Sequence, residues 1–377
     1  MVHPAAESPP PSPPPSPLLP PRAAHRRLGL PPLLAVAAIA VHLGVAPSVW
    51  AEGTPRSPVE DAAIIHLPFA AAGVDLRLVP RPPTAVPATP ASPTPSKSPT
   101  PTVTATSTPR ATPTTTGYTE PLTAFPSIRD LRGRYESRRW YETLLDLLER
   151  RYATGRAIVV RLEDSRAQAG RWANGRTDTF DDLLDASQLI VHEMDHQLGL
   201  QEGLVKSAFT RYAFVVRADL QVEVTRHETF NRSEIAQYVT GGLANRYKST
   251  YLTGRSGQQG FFTLLDEFNA YTHSLFVGYG LSDEFRGRRI SHRDGVVTMM
   301  MYTEFYLRHA EENHADVYAR LHDDPEVRAL VDLLWSRAMF ILDVTADLPQ
   351  LALDPATVEA EMRKPDMLAV VARFVAP

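Results

Sequence analysis

Proline is divided so unevenly along this chain that it decides where a fold can form. Twenty-nine of the 34 prolines precede residue 128; the other five are Pro325, Pro349, Pro355, Pro365 and Pro377. Because proline locks φ and removes a backbone donor, dense proline excludes helix and sheet interiors. A core must therefore be built from the C-terminal two thirds of the chain. Tryptophan, tyrosine and the long apolar runs concentrate after Tyr118, and the 260 residues from Tyr118 to Pro377 suffice for one domain to bury its apolar surface against chain entropy.

The preceding part reads as an export signal and a spacer. Arg22, Arg26 and Arg27 precede an apolar stretch from Leu28 to about Val45, and Val49-Trp50-Ala51 offers small residues at the two positions a signal peptidase reads. Residues 1–51 are expected to be a secretory signal with a Pro-rich extension, which makes the protein secreted or cell-envelope associated. The alternative is an uncleaved anchor, because the apolar stretch is near the lower length limit for a membrane span, although Pro31, Pro32 and His42 weaken it. Membrane contact is expected only through that segment. Residues 52–80 are too short and mixed to assign and read as a disordered tail, with a short pro-segment as the alternative, and 81–117 form a Pro/Thr/Ser-rich linker of extended, polyproline-like character.

Charge and cysteine usage narrow the chemistry. A net charge of -4 with both signs mixed along the chain leaves no basic stripe, so nucleic acid is not an expected partner. The absence of cysteine excludes disulfides, thiolate metal ligands and a cysteine nucleophile.

Over 118–377 the patterning predicts an α+β domain, mostly helical with a small β-sheet. Trp140, Leu144, Leu147 and Leu148 recur at helical spacing and predict a helix over 136–152. The short β-branched run Ala157–Leu162, bounded by Gly155 and the polar Glu163-Asp164, predicts a strand. After a loop rich in Gly, Asn and Arg, Asp181 and Asp182 open a helix that runs through Gly199, with acidic residues where the helix dipole favours them. Leu220, Val222 and Val224 alternate with Gln221 and Glu223, predicting a strand or hairpin over 214–225. Helices are expected over 233–247, 258–277, 295–321, 326–344 and 355–374.

The helix opened by Asp181 carries His192-Glu193-Met194-Asp195-His196. Residues four apart on a helix stand within about 40° of one another, so the two histidines share a face. Leu183, Ile190 and Met194 cluster nearly opposite, and Glu193 lies beside the pair. Two neutral imidazoles can hold zinc while a third protein ligand completes the set. The open position then keeps a water acidic enough to attack at neutral pH, with Glu193 placed to take its proton.

This pattern resembles the zincin metallopeptidases, in particular the gluzincin branch, in which H-E-x-x-H is followed downstream by a glutamate on a second helix. Glu267 lies in such a segment, Leu264-Leu265-Asp266-Glu267-Phe268-Asn269-Ala270-Tyr271, whose Glu-x-x-Ala-Tyr run is similar to the glutamate helix of several gluzincin families. The resemblance covers the two motif helices and, beyond them, only an architecture. It implies a zincin-like fold, Zn2+ held by His192, His196 and Glu267, Glu193 as general base, and a peptide or protein substrate. Two departures stand out. His196 and Glu267 are 71 residues apart, and Tyr271 stands where an acidic residue four after the glutamate often partners the first histidine.

Glu202 and Asp266 are rival third ligands. Gly199 and Glu202 fall where metzincins have a turn glycine and a third ligand, and Met299-Met300-Met301 imitates a Met-turn. A glycine there is ordinarily a helix stop, however, and a Met triplet within a helix is ordinarily core. His309 and His314, five apart on an expected helix, would point about 140° from each other and read as solvated. His227, His273 and Tyr271 are candidates for stabilising an oxyanion, and an extended substrate is expected along the edge of the Ala157–Leu162 strand. The expected function is an exported zinc metallopeptidase. The alternative is a non-catalytic exported binding or structural module that keeps a metallopeptidase-like fold.

Overall fold

The computed structural model describes residues 117–122, 125–285, 287–362 and 364–376, all of them within the unit Ser48–Pro377. The expected signal, the 52–80 segment and the linker up to residue 116 lie outside the described residues. Helices α1 (Arg129–Gly133), α2 (Trp140–Arg151), α3 (Ala153–Arg161) and α4 (Ser165–Ala173) lead to the motif helix α5 (Phe180–Leu200). The sheet found among the described residues is one antiparallel hairpin, β1 (Arg211–Arg217) with β2 (Leu220–Thr225), which pairs Arg211 with Thr225 and Phe214 with Val222. A 3₁₀ turn, Arg232–Tyr238, and helices α6 (Gly242–Tyr251) and α7 (Gly254–Gly257) precede the glutamate helix α8 (Phe261–Gly280). The chain then runs through α9 (His292–Asn313), α10 (Ala315–Asp323), α11 (Pro325–Val344), α12 (Pro355–Met362) and α13 (Pro365–Val375). The mostly helical architecture with a small sheet is as expected.

The strand expected over Ala157–Leu162 is a helix. Gly155, Ile158, Val159 and Leu162 are the buried positions, and their spacing of three, one and three residues is helical. Packing against α5 overrides the β-propensity of the Ile-Val-Val run. The Gly-, Asn- and Arg-rich stretch after it, expected as loop, contains α4. The helix expected over 233–247 is two pieces, separated at Gly241 and Gly242, whose φ values of 157° and 63° suit glycine. That expected over 295–321 is interrupted at His314, and that over 355–374 at Pro365, which takes the first-turn position of α13.

α8 packs between α5 and α9 and is buried on nearly every side, as a helix this apolar should be. The Tyr271 ring lies against α9 where Gly295 leaves room; a Cβ on Gly295 would fall 2.2 Å from it. Met299, Met300 and Met301 are core residues of α9. Gly199 does not end α5, which runs to Leu200 and passes into a π turn, Gln201–Val205. Its role is close approach: a Cβ on Gly199 would lie 2.8 Å from the Ala213 carbonyl oxygen, and one on Gly203 2.3 Å from the Ala213 nitrogen. The backbone of β1 thus rests directly on the motif helix and its extension.

The first described residues also belong to the core. Arg337, fully buried, donates from Nε to Glu120 at 2.8 Å and from Nη2 to the Tyr152 hydroxyl at 2.9 Å. Tyr152 in turn meets His273 Nδ1 at 2.5 Å.

Candidate metal centre

The motif helix starts with a reciprocal cap, in which the Thr179 hydroxyl accepts from the Asp182 amide and the Asp182 carboxylate accepts from the Thr179 amide. Thirteen residues later the packing of α5 on α8 brings His192 and His196 against Glu267. The two Nε2 atoms are 3.2 Å apart, and Glu267 Oε2 lies 3.7 Å from His192 Nε2 and 3.5 Å from His196 Nε2. A tetrahedral ion with bonds of about 2.0–2.1 Å separates its ligand atoms by about 3.3 Å. These three atoms therefore stand close enough to hold one metal ion. Glu267 Oε2 is buried and accepts no hydrogen bond from the described residues, a costly state unless a cation completes it.

The outer nitrogens of both rings are engaged. His196 Nδ1 lies 2.6 Å from Asp266 Oδ2, and His192 Nδ1 lies 3.2 Å from Ser274 Oγ. Such partners fix ring orientation and leave Nε2 for a metal. Asp266, a rival third ligand by sequence, thus faces the far side of His196. Ser274, seven residues beyond Glu267, does for His192 what an acidic residue at Tyr271 would otherwise do, while Tyr271 packs edge-to-face on the His192 ring at 4.9 Å. Glu202, the other rival, pairs instead with Lys206 at 3.1 Å and Arg161 at 3.7 Å.

Comparison of the chain with protein-family models, curated proteins and solved structures finds no match in any of the three.

Residues that the sequence did not mark complete the surroundings. Arg232, fully buried, holds Nη2 4.0 Å from Glu267 Oε1 and its guanidinium 5.6 Å from the Tyr251 ring. Nothing in the sequence distinguishes it from a surface arginine. Burial alone would raise the pKa of Glu267, but His196, His192 and Arg232 outweigh it and keep the carboxylate ionised. Burial keeps His192 neutral. It would also lower His196, where Asp266 and Glu267 prevail and raise the pKa. Asp195, inside the motif, accepts from Asn269 at 2.8 Å, and Asn269 also donates to the Val215 carbonyl at 3.2 Å, tying α5, α8 and β1 together.

The expected oxyanion candidates are otherwise occupied. His273 bridges Tyr152 and the Val215 carbonyl, His227 pairs with Asp324 at 2.7 Å, and the Tyr271 hydroxyl meets that of Tyr251 at 2.7 Å. Glu193 is 2% exposed, with one carboxylate oxygen lacking a hydrogen-bond partner among the described residues. Burial pushes its pKa up to about 8, with His196 opposing and Glu267 and Asp266 adding to the rise. His192, His196 and Glu267 are likewise shut away from solvent.

Proposed function

We propose that this chain is an exported zinc-dependent metallopeptidase with a zincin-like domain of the gluzincin kind. His192, His196 and Glu267 hold the ion, and Glu193 is the general base. The observation that carries this reading is the convergence of two Nε2 atoms and one unsatisfied carboxylate oxygen at tetrahedral spacing, with each ring anchored from behind. Nitrogen and carboxylate donors in this number suit zinc and leave a position open. A zinc ion bound there supplies a Lewis acid for the scissile carbonyl and lowers the pKa of an attacking water.

The chain's own residues do the rest. Glu193 takes a proton from the attacking water at its unpartnered carboxylate oxygen and delivers it to the leaving amine nitrogen. Arg232 and the two imidazoles hold Glu267 as an anion. Ala157–Leu162 offers no strand edge along which a substrate could align, because α3 takes up Ala157–Arg161 and Leu162 is its C-cap.

The deciding experiment is hydrolysis of a mixed peptide library by the zinc-loaded full chain and by Glu193→Gln, with zinc content measured on both. The expected outcome is one zinc at the site in each and a loss of turnover of about 100-fold or more in the variant. Equal turnover in the variant removes Glu193 from its role. A second reading, a non-catalytic module that retains the metal, is favoured by the near-complete burial of Glu193 and the three ligands. Bound zinc with no cleavage by the unmodified chain would select it.

A further inference from the structure

Two histidines that helical spacing sets apart face each other in the structure. α9 ends at Asn313, α10 begins at Ala315, and His314 between them has φ -135° and ψ 58°. This bend turns its ring back toward His309, and the centroids stand 5.3 Å apart. Glu234, from the 3₁₀ turn Arg232–Tyr238, closes the group. Its Oε2 lies 2.9 Å from His314 Nε2 and 3.5 Å from His309 Nε2, and one ligand atom from each of the three residues lies within 4.8 Å of the others.

We propose that Glu234, His309 and His314 form a second metal site, for a divalent transition-metal cation of the zinc class, sharing no residue with the His192–His196–Glu267 centre. Two imidazoles and one carboxylate suit zinc, cobalt, nickel or copper, whereas magnesium and calcium favour oxygen ligands alone.

Both rings are held in place before any ion arrives. His309, 6% exposed, meets the Tyr238 hydroxyl through Nδ1 at 3.1 Å, and that hydroxyl donates its proton to Glu312 at 2.7 Å. The Tyr238 oxygen is thereby left able to accept a hydrogen bond of its own, while Nε2 of His309 faces Glu234 at 3.5 Å. The amide nitrogens of Asn313 and Gln237 also approach Nδ1, at 3.0 and 3.3 Å, and that of Gln237 donates to the Glu234 carbonyl at 3.0 Å as well, so the ring is held from several sides. The His314 ring stacks on Phe230 at 4.3 Å, and Phe230 stacks in turn on Tyr306 at 4.0 Å. Glu234 and His314 are 39% and 30% exposed, so an ion and its water ligands reach this site from solvent. An ion there would join the 3₁₀ turn to the junction of α9 and α10. The same turn begins with Arg232, beside Glu267, so the ion would also brace the element that presents that guanidinium.

The test is titration of the untagged full chain, stripped by chelator, with Zn2+ and in parallel with Co2+, whose visible absorption reports coordination by protein ligands. His192→Ala, Glu234→Gln and His314→Gln are compared with the unmodified chain. The expected result is that His192→Ala still takes one equivalent. That equivalent is lost when Glu234→Gln or His314→Gln is added, with affinity falling by more than the roughly 10–100-fold that loss of an outer partner causes. Both added substitutions replace partly exposed side chains with a polar amide, and unchanged circular dichroism verifies the fold. No binding by His192→Ala, or binding that neither added substitution weakens, overturns the proposal. A single equivalent in the unmodified chain, kept in His192→Ala and lost in His314→Gln, upholds the second site and removes the metallopeptidase reading instead.

Discussion

Asp266 and His196 meet at 2.6 Å on the edge of the imidazole that faces away from Glu267, so two consecutive carboxylates of α8 address opposite nitrogens of one ring. The outer carboxylate orients the ring and raises its basicity. Asp266→Asn is therefore expected to weaken zinc binding at the first centre by about 10–100-fold, and Glu267→Ala by more. Competition against a chromophoric chelator, run in a His314→Gln background, measures both. An affinity unchanged in Asp266→Asn would show that the pair does not tune the site.

Gly203 cannot accept a side chain without displacing the backbone of β1. A Cβ there meets the Ala213 nitrogen at 2.3 Å, a backbone atom that cannot move aside, while one on Gly133 meets nothing within 4 Å. Gly203→Ala is expected to destabilise the fold by about 1–3 kcal/mol or more. Gly133→Ala, at the end of α1, should be neutral or stabilising by up to about 1 kcal/mol. Urea unfolding of the two variants gives the comparison, and equal stabilities would contradict the close approach of β1.

Much of the candidate centre was legible because it depends on local periodicity. His192 and His196 share a helix face by spacing alone, and Glu267 stands on a helix whose apolar residues mark it as buried. What depends on how elements meet was not legible. Asp266 and Glu267 are adjacent carboxylates, and only the rotation of α8 against α5 decides which one faces both imidazoles. Ala157–Leu162 has strand composition, yet its neighbours Tyr152 and Val191 close on Gly155 and select a helix. Neither glycine nor proline marks the break at His314, so the meeting of His309 and His314 had no sequence signal.

Glu120 is the only carboxylate that the described residues place in hydrogen-bond contact with buried Arg337. Removing it strands a guanidinium inside the core, so Glu120→Ala is expected to lose about 3–5 kcal/mol. Adding Arg337→Met should restore part of that loss, since an apolar pair avoids the desolvation penalty. Thermal unfolding of the single and double variants tests this. A double variant weaker than the single would refute it.

Glu304 on α9 gives stability a pH dependence away from the metal centre. The residue is 3% exposed, and burial pushes its pKa from 4.5 up to about 7, with Arg308 opposing and Asp366 and Glu312 adding to the rise. The folded state binds this proton more tightly than the unfolded state. Its contribution is therefore full below about pH 4.5 and is lost as pH rises through about 7. Relative to Glu304→Gln, the unmodified chain should lose on the order of 1–2 kcal/mol between about pH 5 and pH 8. Unfolding free energies of the two chains at both ends of that range give the difference. A constant difference would exclude Glu304 as the source.

Gly199 and Gly203 follow His196 by three and seven residues, so the imidazoles and the seat for β1 are written on one continuous piece of helix. β1 supplies the Val215 carbonyl that holds Asn269 and His273, both on the glutamate helix. A recombination event that carried His192 and His196 elsewhere without the two glycines would move the ligands but leave behind the support that aligns the third. The working unit is the whole stretch His192–Gly203, in which a single methyl group added at either glycine would press on β1 while every ligand stayed in place.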